Sequence, residues 1–206
     1  MIINGNNLEP ASINYSANYK KLVFNNFVYI PILKNAHRYT STVLAAYDFD
    51  LDHNVSLENK TILVVLRDPI ERWYAGIAQF LTWHTTHLTI DEEVMKLLTS
   101  VIVLDGHSRS QSNFLRGVNT DQCVFFNCDE ENFSDKLHHY CRRNLGGVVD
   151  MSNLTFKAPY YNSTGEKYLN FKKNLKSMCS PIFLERLKKY YAEDYNLLET
   201  ARFYRI

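Results

Sequence analysis

Glycine and proline are scarce in this chain of 206 residues, at 7 and 5. That excludes a linker-rich, low-complexity or collagen-like protein. A surplus of one charge is missing too, because 23 Lys plus Arg against 22 Asp plus Glu leave a net +1. A protein that coats a polyanion carries a strong positive excess, so no nucleic-acid partner is expected. Any anion must be held by a local cluster. No stretch reaches the ~18 apolar residues that a membrane span needs, and no repeat recurs at solenoid periods. Met1–Tyr19 lacks the basic and apolar regions of a signal peptide, which predicts a cytoplasmic protein with a peripheral segment over 1–20. Cysteine numbers only 4, and in that compartment Cys123, Cys128, Cys141 and Cys179 are expected as reduced thiols. Cys123 and Cys128 with His138, His139 and Cys141 miss the usual zinc spacing, so no metal is expected.

What is present suffices for a core. A hydrophobic share of 46% over this length fits one ordinary domain, or at most two small ones, and a single domain over 1–206 is the expectation. Leu22–Ile32 is apolar and β-rich, with a break at Asn25-Asn26 that makes two short strands. The strand over Phe27–Ile32 runs into the polar segment Lys34–Ser41. Val43, Leu44 and Tyr47 then fall at helical spacing, so a short helix starts around His37–Ser41. Asp48–Asn59 reads as a polar, acidic loop. Thr61–Leu66 is a continuous apolar run, the pattern of a central parallel strand. Pro69 suits a first helical turn, and Ile70, Trp73, Tyr74, Ile77 and Leu81 line one helical face to about His84. Further helices are expected from Asp91, over Phe133–Asn144, over Lys167–Lys176 and over Pro181–Tyr191. A third strand is expected at Gln122–Phe126. The alternation predicts an α/β fold with a parallel sheet flanked by helices.

Such sheets bind ligands at the carboxyl ends of their strands, which singles out the loops Leu33–Ser41 and Arg67–Arg72. In the first, a strand leads to Lys34 and a helix follows. Free N–H groups at a helix start favour an anion. Lys34, His37 and Arg38 add positive charge and donors, and Thr40 and Ser41 offer hydroxyls for capping or for phosphate. The loop has no GxxxxGK[ST] and is not a Walker A loop. In the second, Arg67 ends the strand, where a guanidinium suits bidentate phosphate contact. The structural alternative is that Arg67 pairs with Asp68 or Glu71. Asp68 is placed to cap the next helix, and Glu71 and Arg72 to form local ion pairs.

Together, IPILKNAHRYTS and a strand ending in VVLRDPIERW resemble the sulfotransferase superfamily, most closely its carbohydrate branch. Asp105–Leu115, with a D-x-H-x-x-x-Q pattern, and Tyr190–Leu198, YYAEDYNLL, are similar to later family segments. The resemblance spans about 22 to 198. It implies the sulfotransferase fold, which is P-loop nucleotide-kinase-like, and transfer of a sulfuryl group from 3′-phosphoadenylyl sulfate (PAPS) to a hydroxyl, most often of a carbohydrate. The desulfated product is PAP, and no metal takes part. By resemblance, Lys34, Asn35, Ala36, His37, Arg38, Tyr39 and Thr40 hold the 5′-phosphosulfate, with Lys34 at the transferring group. Arg67 holds the 3′-phosphate. The chain departs from the pattern in three ways. Its proline lies at Pro31, before Ile32 and Leu33. His37 and Arg38 replace a Ser/Thr pair. Ala75 stands where a phosphate-binding serine is usual.

The acceptor hydroxyl needs a base. His107 is the favoured candidate, with Asp105 or Gln111 to orient its ring. Asp48, Asp50, Asp52 and His53 lie between the two motifs and are the alternatives, with His84 and His87 behind them. The loops Asp48–Asn59, Thr82–Thr89 and Asn153–Lys167 carry no acceptor motif. Lys167–Lys176 and Arg186–Lys189 read as solvated basic faces that also suit an anionic acceptor. Tyr160-Tyr161 and Tyr190-Tyr191 read as core or rim. Two other functions share such a fold: an ATP-dependent nucleotide or sugar kinase, and a non-catalytic nucleotide- or glycan-binding protein.

Overall fold

The computed structural model describes residues 20–52, 54–84, 90–146 and 165–206. Within these, the chain forms two compact units. A sheet unit comprises 20–67, 111–146 and 197–206, and a helical unit comprises 68–110 and 165–196.

The sheet has five strands in the order β3-β1-β2-β4-β5. Strands β1 (Lys21–Phe24) and β2 (Phe27–Ile30) form an antiparallel hairpin, with Phe24 opposite Phe27. The expected break at Asn25-Asn26 is its turn. Asn25 takes φ 50°, a left-handed conformation that asparagine tolerates and tight hairpin turns require. β2 pairs in parallel with β4 (Thr61–Leu66), and β4 in parallel with β5 (Cys123–Asn127). The TILVVL run is therefore central, as its unbroken apolar character predicts.

The expectation of a purely parallel sheet is corrected to a mixed one, because β1 and β3 (Asp50–Asp52) pair antiparallel. β3 also corrects the reading of Asp48–Asn59 as loop throughout. All three of its residues are exposed, so no buried alternation marked it, and pairing with β1 alone defines it. Asp50 and Asp52 put charges on this edge, which discourages pairing with another chain.

Residues aligned across the ladder form one core face. Leu22, Tyr29 and Leu63 stand in register, as do Val65 and Phe126. Val43 and Leu44 of helix α1 (His37–Ala45) pack there, with Phe133, Leu137 and Tyr140 of a later helix over Phe133–Asn144. Beyond β5, the Tyr204 N–H donates to the Phe125 carbonyl at 2.8 Å, so the C-terminal segment covers that edge.

The helical unit is built on α2 (Pro69–His84), with α3 (Glu92–Ser100) capped by Asp91, whose Oδ1 accepts from the Val94 N–H at 2.8 Å. After the one-turn helix α4 (Gln111–Phe114) and α5 (Phe133–Asn144) of the sheet unit, the chain forms α6 (Glu166–Met178), α7 (Pro181–Tyr190) and α8 (Ala192–Thr200). α8 was not anticipated. Trp73, Ile77, Leu81, Leu98, Phe171 and Leu187 are among the buried side chains of this unit's core. Among the described residues, no helix is long and apolar enough to cross a membrane.

Glu71 clamps α2 to α6 through Lys176 (2.5 Å) and Lys172 (3.3 Å). Burial pushes its pKa up, but the hydrogen bonds and charges of Lys176 and Lys172 outweigh that and hold the carboxyl below its ordinary value. A depressed carboxyl contributes stability above its unfolded pKa and loses it as pH falls through the folded one. The clamp should therefore weaken only below the ordinary carboxylate range. These groups are partly exposed, so Glu71→Gln should cost at most about 1 kcal/mol at neutral pH. Urea midpoints compared between pH 7 and pH 3 should show the gap between wild type and variant closing on acidification. A gap that is unchanged or widens toward pH 3 would refute the clamp.

Candidate functional site

The sheet unit brings Arg67 and the turn after β2 together. β2 and β4 are parallel neighbours, so the turn after β2 and the residue after β4 lie at the same end. In the first turn, the Asn35 N–H donates to the Ile32 carbonyl at 3.2 Å. Lys34 (φ 70°) and Ala36 (φ 53°) are both left-handed. Non-glycine residues held so cost of order 1–3 kcal/mol each and cluster at functional sites. Turns of this kind gather N–H groups into anion-binding nests. Ala36 occupies the cap position of α1, with no side-chain cap and no acidic residue in the first turn. The expectation that Thr40 or Ser41 caps α1 is corrected, because the helix begins earlier. The Thr40 hydroxyl instead donates to the Ala36 carbonyl at 3.2 Å. Lys34 and His37 are half-buried and Arg38 is exposed.

Arg67 reaches this turn directly. Its Nη1 donates to the Lys34 carbonyl at 3.3 Å, and its Nε to Asp129 Oδ1 at 3.1 Å. Gln111, at the start of α4 and fully buried, is the node beneath. Its Oε1 accepts from Asn35 Nδ2 at 2.5 Å and from the Arg67 N–H at 3.0 Å. Its Nε2 donates to the Arg67 carbonyl at 2.8 Å. Asn35 Nδ2 also donates to the Val65 carbonyl at 2.8 Å. The Asn35 Oδ1 is buried with no partner among the described residues.

The alternative pairing of Arg67 with Asp68 or Glu71 is corrected. Asp68 Oδ1 caps α2, accepting from the N–H groups of Ile70 (2.9 Å) and Glu71 (2.8 Å), and Glu71 is held by lysines. The expected Glu71–Arg72 pair is absent: Arg72 is buried and donates to the carbonyls of Arg109 and Gly106. Asp129 was missed because it lies 62 residues from Arg67 and meets it only through the β4–β5 pairing. A cavity of about 860 Å³ runs along α1 past His37, Ser41 and Thr42 to Phe49, Asp50 and Leu51.

His107 belongs to the helical unit. Its Nδ1 lies 2.9 Å from Asp105 Oδ2, and its N–H donates to Asp105 Oδ1 at 2.8 Å. Of the two expected orienters, Asp105 holds the ring, while Gln111 serves the Lys34 and Arg67 loops. With Asp105 accepting the Nδ1 proton, Nε2 is the basic atom. The Trp83 and His107 rings pack edge to face, with centroids 5.1 Å apart. The loop is fixed on several sides: Ser108 Oγ accepts from the Leu104 N–H at 2.9 Å, and the buried Tyr191 hydroxyl donates to the Ser108 carbonyl.

Gly76 fixes it further. A Cβ at Gly76 would stand 2.3 Å from the His107 carbonyl oxygen. A glycine inside an amphipathic helix is the sequence signal for such a close approach. Helix propensity alone predicts that Gly76→Ala gains about 1 kcal/mol. The clash reverses the sign, and we expect a loss of about 1–3 kcal/mol, measured by urea unfolding. A stabilised variant would refute the close packing.

Ala75, next to it, is buried on α2. Asp48, Asp50 and Asp52 are exposed. His84 packs against Phe80 with ring centroids 4.4 Å apart. His53, His87 and Tyr160-Tyr161 lie outside the described residues. Tyr191 is core and Tyr190 is exposed.

The thiols and remaining histidines are separately engaged. Burial pushes Cys123, Cys128 and Cys141 up to about 12 and Cys179 to about 11. His138 Nε2 lies 2.8 Å from the Tyr39 hydroxyl, and His139 Nδ1 lies 2.8 Å from that of Tyr204. Among the described residues, no three His, Cys, Asp or Glu side chains gather as a metal site. In the basic runs, Lys188 pairs with Glu185 at 2.7 Å and Arg186 donates to the Thr99 carbonyl at 3.0 Å. No family model, curated protein or solved structure matches the chain.

Proposed function

We propose that this protein is a PAPS-dependent sulfotransferase, on the sulfotransferase variant of the α/β fold, acting on a hydroxyl of a carbohydrate acceptor. The observation that carries the reading is the Arg67–Lys34 contact, Nη1 to carbonyl at 3.3 Å. It unites two strand-end loops whose sequences resemble the two phosphate motifs of that family. The residues suit the donor. The uncapped first turn of α1 and the Lys34 ammonium favour one anionic group, and the Arg67 guanidinium suits a second. Buried Ala75 offers no hydroxyl, which weakens the hold on a phosphate by about 0.5–1.5 kcal/mol without abolishing it.

The donor supplies the sulfuryl group and an anionic leaving group. Lys34 counters the charge that develops on that leaving group. His107 is assigned as the base on the chemistry of its dyad with Asp105, which leaves Nε2 as the ring atom to take a hydroxyl proton.

A thermal-shift titration tests the donor class. A ligand that binds only the folded state stabilises it in proportion to RT ln(1 + [L]/Kd). PAP should raise the melting temperature progressively with the logarithm of its concentration above Kd, and ADP or ATP with Mg²⁺ should do less. Stabilisation by ADP or ATP with none by PAP would refute this reading in favour of a kinase.

A further inference from the structure

The proposed function, on which this inference rests, gives Arg67 a phosphate. The structure gives it a carboxylate. Arg67 Nε donates to Asp129 Oδ1 at 3.1 Å, with the two side chains 21% and 32% exposed. Both partners are held in place. Nη1 of the same guanidinium is anchored on the Lys34 carbonyl. Asp129 stands two residues beyond β5, and its N–H donates to Asn127 Oδ1 at 3.0 Å. Asn127 is in register with Leu66, and the Cys128 N–H donates to the Leu66 carbonyl at 3.0 Å. The β4–β5 pairing therefore sets acid and arginine side by side at the ligand-binding end of the sheet.

A carboxylate and a phosphate seek the same guanidinium face. A dianion that reaches Arg67 meets a cation already partly neutralised by its resident carboxylate. We propose that Asp129 is a specificity-determining residue, a resident anion that competes with the ligand's phosphate for Arg67, lowers its affinity and speeds its release.

Asp129→Asn removes the charge and keeps an oxygen acceptor for Arg67 Nε, so the guanidinium should stay in place. Wild type and variant are titrated with inorganic phosphate, PAP and AMP, which lacks the 3′-phosphate. Phosphate and PAP should bind about tenfold more tightly to the variant, chiefly through slower dissociation, and AMP should change less than about twofold. In an Arg67→Ala background the same substitution should change PAP affinity by less than about twofold. Asp129→Ser, with the same expected direction, serves if the asparagine variant misfolds.

Tightening toward phosphate alone, with PAP bound by neither protein, supports the competitor role and overturns the nucleotide reading. Binding of PAP by wild type with no tightening in the variants overturns the competitor role and leaves the nucleotide reading standing. Weakening toward phosphate and PAP, or an equal gain in the Arg67→Ala background, also overturns it.

Discussion

Lys34→Ala should lower sulfuryl release from PAPS by about 10²–10³-fold, the usual loss when one preorganised donor to a developing anion is removed. The substitution leaves the backbone of the turn as it is: the Lys34 carbonyl accepts from Arg67 at 3.3 Å, and the residue sits at φ 70°. Alanine suffers the same left-handed strain as lysine, so the turn is not penalised further. PAP affinity should fall far less than turnover, because Arg67 and the first-turn N–H groups remain. Rates of PAP formation from PAPS, measured with and without candidate acceptors, check this. Lys34→Met, which keeps the stem, should behave like alanine. Activity within tenfold of wild type in either variant would remove Lys34 from the chemistry.

The second large effect is on stability. Gln111→Leu should destabilise the protein by about 3–6 kcal/mol. The buried amide satisfies Asn35 Nδ2, the Arg67 N–H and the Arg67 carbonyl at once. Leucine fills similar space and strands those groups, at about 1–3 kcal/mol for each that water cannot reach. Asn35 Nδ2 keeps its bond to Val65, which brings the total below a simple sum. In a chain of this size the melting temperature should drop by roughly 10 °C or more. Gln111→Glu keeps the shape, but its carboxylate is buried and cannot donate to the Arg67 carbonyl, so it should also destabilise. A shift under about 2 °C for Gln111→Leu would show that the network does not hold the two loops.

The strands and helices that carry the site were legible wherever burial imposed a period. The run Thr61–Leu66 is buried over five of its six residues, so it reads as a central strand without help. Pro69 and the stripe from Ile70 to Leu81 give α2. Arg67 and Lys34 follow as strand-end residues. What was illegible depends on partners distant in sequence. β3 exists only because Asp50–Asp52 pairs with β1. Asp129 meets Arg67, and Gln111 meets Asn35, across 62 and 76 residues. Gln111 belongs to a sequence pattern, yet an amide in sequence does not reveal which polar groups it will satisfy. A helical glycine such as Gly76 signals close approach without naming the neighbour.

The central claim is that Arg67 receives the 3′-phosphate of a nucleotide whose other anionic group lies at the Lys34 turn. Calorimetric titration of wild type and Arg67→Ala with PAP and with AMP tests it most directly. Wild type should bind PAP at least tenfold more tightly than AMP, and that preference should vanish in Arg67→Ala, since a charge-assisted hydrogen bond contributes about 1.5–3 kcal/mol. Equal affinity for the two nucleotides in wild type, or an undiminished preference in Arg67→Ala, would contradict it.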